Sequence, residues 1–138
     1  MLTEKHKEKI KYLNQYKFLN AEVDRKIKEM EDWKNKIYSV TATLTDMPRS
    51  NSRRDKISDG IAAVNEIEEN INGDIDKLLK VRKDVQSKID TIDDLKLREL
   101  MKCRYLDFNT WEEIAYKNGF SWQWVYKLHE KSLDKIII

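Results

Sequence analysis

Gln123, Lys127 and Lys131 recur at four-residue steps through "SWQWVYKLHEKSL", so on a helix they share one face. A glutamine amide presents a donor beside an acceptor, which matches the major-groove edge of adenine. Lysine ammonium groups meet phosphate or guanine. Ser121 opens this helix, Tyr126 joins its polar face, and Trp122 and Trp124 flank its buried face on either side. Trp122 is expected to pack against a helix over 93–106. Trp124 is the more open of the two and suits a sugar or a thymine methyl. Residues of these types in this pattern are expected to recognise a surface such as double-stranded DNA.

Catalytic patterns are absent from the sequence. It holds no Ser/His/Asp set, no phosphate-cradling glycine loop, no CxxC and no paired carboxylates with a pocket to serve. Cys103 is the only cysteine, so it forms no internal disulfide and cannot build a metal site alone; it is expected in the core. His6 and His129 are far apart in sequence, and His129 is expected as a semi-buried packing residue. No cofactor and no metal is expected. No apolar run reaches the roughly 18 residues that span a bilayer, and the N-terminus lacks an apolar signal core. A cytoplasmic protein without a membrane partner is the expectation.

The elements that must hold this face can be read locally. Thr110 followed by Glu113 predicts a reciprocal capping box, so a helix begins at Trp111. Ile114 and Ala115 face inward, and the small Ala115 lets another helix approach. Gly119 supplies a left-handed residue to end the helix. Phe120 plugs the turn and Ser121 caps the next helix. Val125 and Leu128 point back at Ile114 and Ala115, with His129, Ser132 and Ile136 beside them. This spacing is that of a helix-turn-helix. Asn118 stands where an apolar residue usually closes the first helix. A preceding helix over 93–106 begins at Asp93 and Asp94, where the helix dipole favours negative charge.

Upstream the pattern changes to heptads. Ile57, Val64, Ile71, Leu78, Val85 and Ile92 fall seven apart. Ile61, Ile75 and Ile89 fill the alternate core positions, with Glu68 and Arg82 interrupting. The phase runs through Gly73, so one long helix is expected there. A second stripe, Tyr16, Val23, Met30 and Ile37 with Leu13, Leu19, Ile27 and Trp33, predicts a helix over about 3–38. Between them, near 39–58, lie Pro48 and clustered Ser, Asn and Asp, read as a loop. Its Arg49, Arg53 and Arg54 either touch phosphate or are merely solvated.

The fold class is therefore all-α. A long antiparallel, coiled-coil-like helical hairpin over 1–92 precedes a three-helix helix-turn-helix domain over 93–138. The hairpin leaves Tyr12, Phe18 and Tyr38 to be covered, by self-association into a homo-oligomer or by packing on the C-terminal domain.

Residues 95–138 carry eight Lys/Arg against six Asp/Glu, which predicts feeble DNA binding by one copy. Two copies joined through the hairpins would add their contacts.

The stretch "LRELMKCRYLDFNTWEEIAYKNGFSWQWVYKLHEKSL" resembles region four of bacterial sigma-70 factors. It is more closely similar to phage-encoded regulators of the ArpU and RinA type. Arg104-Tyr105, Trp111 to Ala115, Gly119, Ser121, Val125, His129 and Leu133 carry the likeness. The upstream "DMPRSNSRRDKI" resembles the Met-Pro loop between two long N-terminal helices in that family. The resemblance implies sequence-specific DNA binding and control of phage or prophage transcription in a bacterial host. It also implies that Ser121 to Lys131 enter the major groove. Two other readings stand beside it. One is a small terminase-like DNA-packaging subunit. The other is an interaction module that contacts RNA polymerase or another protein without binding DNA.

Overall fold

The computed structural model describes the backbone of residues 2–44 and 51–138 and the side chains of residues 2–39 and 54–138. Among the described residues six helices follow one another: α1 Glu4–Leu13, α2 Gln15–Leu44, α3 Asn51–Asp90, α4 Leu95–Tyr105, α5 Trp111–Asn118 and α6 Trp122–Lys135. Among the described residues no helix is long and apolar enough to cross a membrane.

Thr3 opens α1 with a reciprocal cap. Its hydroxyl accepts from the His6 N–H at 3.2 Å, and its own N–H donates to His6 Nδ1 at 3.2 Å. Two N–H groups that the helix itself leaves free are thus held by local bonds. α1 meets α2 at Asn14, whose backbone stays helical (φ −76°, ψ −7°). Asn14 N–H reaches the Ile10 carbonyl and Phe18 N–H reaches the Asn14 carbonyl, so α1 and α2 form one bent helix.

The loop expected over 39–58 is mostly helix instead. α2 runs to Leu44 and α3 begins at Asn51, while residues 45–50, with Pro48 and Arg49, lie outside the described residues. The Arg53 side chain also lies outside them, and Arg54 is exposed. Ser, Thr and Asn cost only tenths of a kcal/mol each in a helix, roughly 0.7 at most. A helix already nucleated gains a hydrogen bond for every residue it adds, so clustered turn-prone residues did not stop it. Gly73 likewise sits within α3 without breaking it.

Contacts divide the chain into two compact units, Met1–Asn20 with Leu78–Ile138, and Ala21–Lys77. In the second unit α2 and α3 run antiparallel. Val23, Val64 and Ile71 are buried between them, and the Lys26 ammonium pairs with the Asp74 carboxylate. Gly60 lies against Ile37 and Trp33; a Cβ there would stand 2.7 Å from Ile37 Cγ1. Here the heptad reading needs correction. Gly60 takes the inner position against Ile37, and Ile61, expected in the core, is exposed.

In the first unit one core joins Leu13 and Tyr16 from the N-terminal helix, Val85 and Ile89 from the end of α3, and the inner faces of α4, α5 and α6. Asp94 caps α4, its carboxylate accepting from Lys96 N–H at 2.9 Å and Leu97 N–H at 3.4 Å. Arg98 Nε donates to the Ile92 carbonyl at 3.0 Å, and Lys102 pairs with Asp90 at 3.0 Å, pinning α4 to the end of α3. α1 reaches α6: His6 Nε2 lies 2.5 Å from Asp134 Oδ1, and Lys9 Nζ donates to the Leu133 carbonyl at 2.7 Å.

Candidate nucleic-acid interface

The turn between α5 and α6 sets the geometry of the polar face. Thr110 Oγ1 accepts from Glu113 N–H at 3.1 Å and starts α5. The expected return bond from the Glu113 carboxylate is not made; that side chain is exposed, and water competes for it. Gly119 adopts the left-handed conformation (φ 65°, ψ 30°). Phe120 N–H then donates to the Ala115 carbonyl at 2.9 Å and Gly119 N–H to the Tyr116 carbonyl at 3.4 Å. These two bonds form a Schellman motif. Asn118 has a use at its unusual position: its amide donates to the Ile114 carbonyl at 2.8 Å. Ser121 Oγ accepts from Trp124 N–H at 3.2 Å and begins α6.

α6 buries one side and presents the other. Val125 and Leu128 are buried with Ile114 and Ala115, as the helix-turn-helix spacing requires. His129, Ser132 and Ile136 are buried beside them, and the Ser132 hydroxyl donates to the Leu128 carbonyl at 2.7 Å. Gln123, Lys127 and Lys131 are all exposed. They share the helix face opposite Val125, together with the pair-bound Asp134.

The aromatic residues differ in part from expectation. Trp122 is not sunk against α4. It is 47% exposed and its ring lies 6.0 Å from that of Tyr126, one turn along the same helix. Its position one residue after the cap holds it at the outer edge of the turn, while the half-buried Phe120 packs against the core. Trp124 and Tyr126 are exposed to a similar degree, 46% and 49%. Ser121 is exposed as well, so all seven candidate residues, Ser121 to Trp124, Tyr126, Lys127 and Lys131, reach solvent.

Behind this face lies a polar cluster with no periodic signature in the sequence. The Arg104 guanidinium sits 4.6 Å from the centre of the Trp111 ring and donates to the Asn109 carbonyl at 3.1 Å. Trp111 in turn lies 4.4 Å from the His129 ring. Burial pushes the His129 imidazole down to about 4, with Arg104 and His6 acting in the same direction and Glu130 opposing them. Burial raises the Tyr105 phenol well above its usual range. Both side chains are therefore uncharged near neutral pH. Cys103 is half-buried against the core, and burial, helped by Asp107 and Glu99, raises its thiol and reduces its nucleophilicity.

Sequence reasoning did not single out His6 or Asp134, which meet across 128 positions of chain. The only local sign was the Thr3–His6 spacing, which allows a cap. Among the described residues no group of three or more His, Cys, Asp and Glu side chains is placed to hold a metal ion. Comparison with known protein families, with curated proteins and with solved structures gives no match.

Proposed function

We propose that this protein is a non-enzymatic regulator of phage or prophage transcription that binds double-stranded DNA through α6. The carrying observation is the exposed row Gln123, Lys127 and Lys131, held on a capped helix whose opposite side is fully buried. Hydrogen-bonding and cationic side chains on a rigid element suit base edges and phosphates. The resemblance of residues 97–133 to region four of sigma-70 factors and to the ArpU and RinA regulators supports the same reading.

In this reading the hairpin gathers copies of the chain. Tyr38, Phe18, Ile61 and Leu79 are exposed large apolar side chains, and a homo-oligomer would cover such groups. The direct test combines solution mass with salt-dependent binding to duplexes from the protein's own genomic neighbourhood. Binding that falls steeply with salt and favours one sequence supports the proposal. An assembly of ring size would favour the DNA-packaging reading instead.

A second reading has its own observation. Trp122, Trp124 and Tyr126 form an exposed aromatic group at the start of α6, and such residues are enriched in protein interfaces. In that case α6 docks on RNA polymerase and not on DNA. Retention of polymerase by the wild type, loss of it with Trp122→Ala, and no duplex binding would favour this alternative.

A further inference from the structure

We infer that α1 is a second duplex-binding element, whose lysines hold the phosphate backbone beside the face presented by α6. The inference rests on the reading of α6 as a DNA-binding helix and extends it to a segment more than a hundred residues away in sequence.

Charge carries the argument. Residues 93–138 hold eight Lys/Arg and eight Asp/Glu, so the three-helix tip is neutral by itself. A neutral module gains little from counterion release, which supplies most of the sequence-independent affinity for duplex DNA. The fold changes this count. The compact unit that contains the tip also contains residues 1–20, with five Lys/Arg and two Asp/Glu, and residues 78–92, with four and two. The whole positive excess of the unit comes from these two segments. Residues 21–77 hold ten Lys/Arg against thirteen Asp/Glu and offer phosphate no such excess.

Of the two segments, α1 is the one whose side chains bond to α6. His6 Nδ1 accepts from the Thr3 N–H, so Nε2 is the nitrogen that donates to Asp134, a carboxylate on the outer side of α6, and this bond fixes α1 against that side. Lys9 donates to the Leu133 carbonyl in the last turn of α6, where the helix dipole is negative. α1 thus places one cation, Lys9, at the negative end of α6. Lys5, Lys7 and Lys11 remain exposed on the same short helix. Lys7 has only a long contact of 3.7 Å with the exposed Glu4, and neither Lys5 nor Lys11 has an ion pair among the described residues. Lys7 and Lys11 share one flank of this rigid element and Lys5 lies on the other, with Glu4 and Glu8 between them, so the lysines offer phosphate contacts on the flanks of α1 that carry no base specificity.

The test measures binding of the full chain to two labelled duplexes of unrelated sequence across a salt series. Lys5, Lys7 and Lys11 are replaced together by Gln, and separately by Arg. The Gln variant is expected to bind both duplexes more weakly by the same factor. Its slope of log affinity against log salt should be shallower by about 0.9 for each lysine that touches, about 2.7 at most. The Arg variant should keep the wild-type slope, which separates charge from any effect on folding. A wild type that binds with a steep slope, beside a Gln variant of equal slope and affinity, overturns this inference and leaves the reading of α6 standing. A wild type that binds neither duplexes nor its neighbouring genomic DNA overturns both, and capture by anionic lipid vesicles in that case would assign the basic helix to a membrane surface.

Discussion

The Tyr105 hydroxyl and His129 Nε2 share a hydrogen bond of 2.7 Å inside the core that carries α6, and the His129 ring lies 4.4 Å from Trp111. Burial disfavours the charged imidazole in this arrangement, and Arg104 acts in the same direction. His129 titrates at about 4 when folded and near its ordinary 6.5 when unfolded. The unfolded chain therefore takes up the proton first as pH falls. The contribution is complete above about 6.5, declines between about 6.5 and 4, and is constant below that. The shift corresponds to on the order of 3 kcal/mol. Thermal melting at pH 7.5 and pH 4.5 should show this loss in the wild type and a smaller one in His129→Gln. An equal pH dependence in the two proteins would mean that His129 does not couple folding to protons.

The two glycines of α3 should respond in opposite directions to the same substitution. A methyl group on Gly73 would meet nothing within 4 Å, so Gly73→Ala should stabilise by about 1 kcal/mol through helix propensity. At Gly60 the new Cβ would press to 2.7 Å on Ile37 Cγ1, next to the chain and unable to swing away as a side-chain tip would. Overpacking of this kind costs about 1–3 kcal/mol, which exceeds the propensity gain over most of its range. Urea denaturation of the two variants checks the pair. Stabilisation by Gly60→Ala would show that α2 and α3 do not approach closely there.

That contrast also marks what the sequence could reveal. Val64, Ile71, Val85 and Ile92 lie on the heptad phase and are buried, because a seven-residue repeat of branched apolar residues has few other uses. Ile61 lies on the same phase and is exposed, because a close helix approach at Gly60 takes the inner place. Gly119 and Ser121 were legible because a left-handed residue and an N-cap each demand particular side chains. The exposure of Gln123, Lys127 and Lys131 followed from the positions of Val125 and Leu128. The bonds from His6 and Lys9 to α6 were not legible. Lysines and histidine alternating along a short helix carry no mark of what they will touch, and contacts between distant segments leave no local period.

Gln123 and Lys127 should separate specificity from affinity. Gln123→Ala is expected to relax sequence preference and to cost about 1–3 kcal/mol on the cognate site. Lys127→Ala should weaken every sequence alike and make the salt dependence shallower by about one unit. Both side chains are exposed, so neither change should lower the melting temperature appreciably. Competition binding with cognate and scrambled duplexes distinguishes the two effects. Unchanged binding in both variants would remove α6 from the reading of DNA.

Self-association can be tested at residues that lie outside the core. Tyr38 is 77% exposed and Ile61 is exposed beside the groove that Ile37 and Val64 line. Replacing both with Asp puts charge on that surface without opening a cavity, so the helical content of each chain should persist. The solution mass should fall. If copies joined through the hairpin bind one duplex together, the double variant should also lose affinity by about 10²–10⁴, because the second binding event is no longer intramolecular. Sedimentation and duplex titration on the same samples give both quantities. A monomer with full wild-type affinity would leave the hairpin without a part in DNA binding, and the tip with α1 would have to supply all of it.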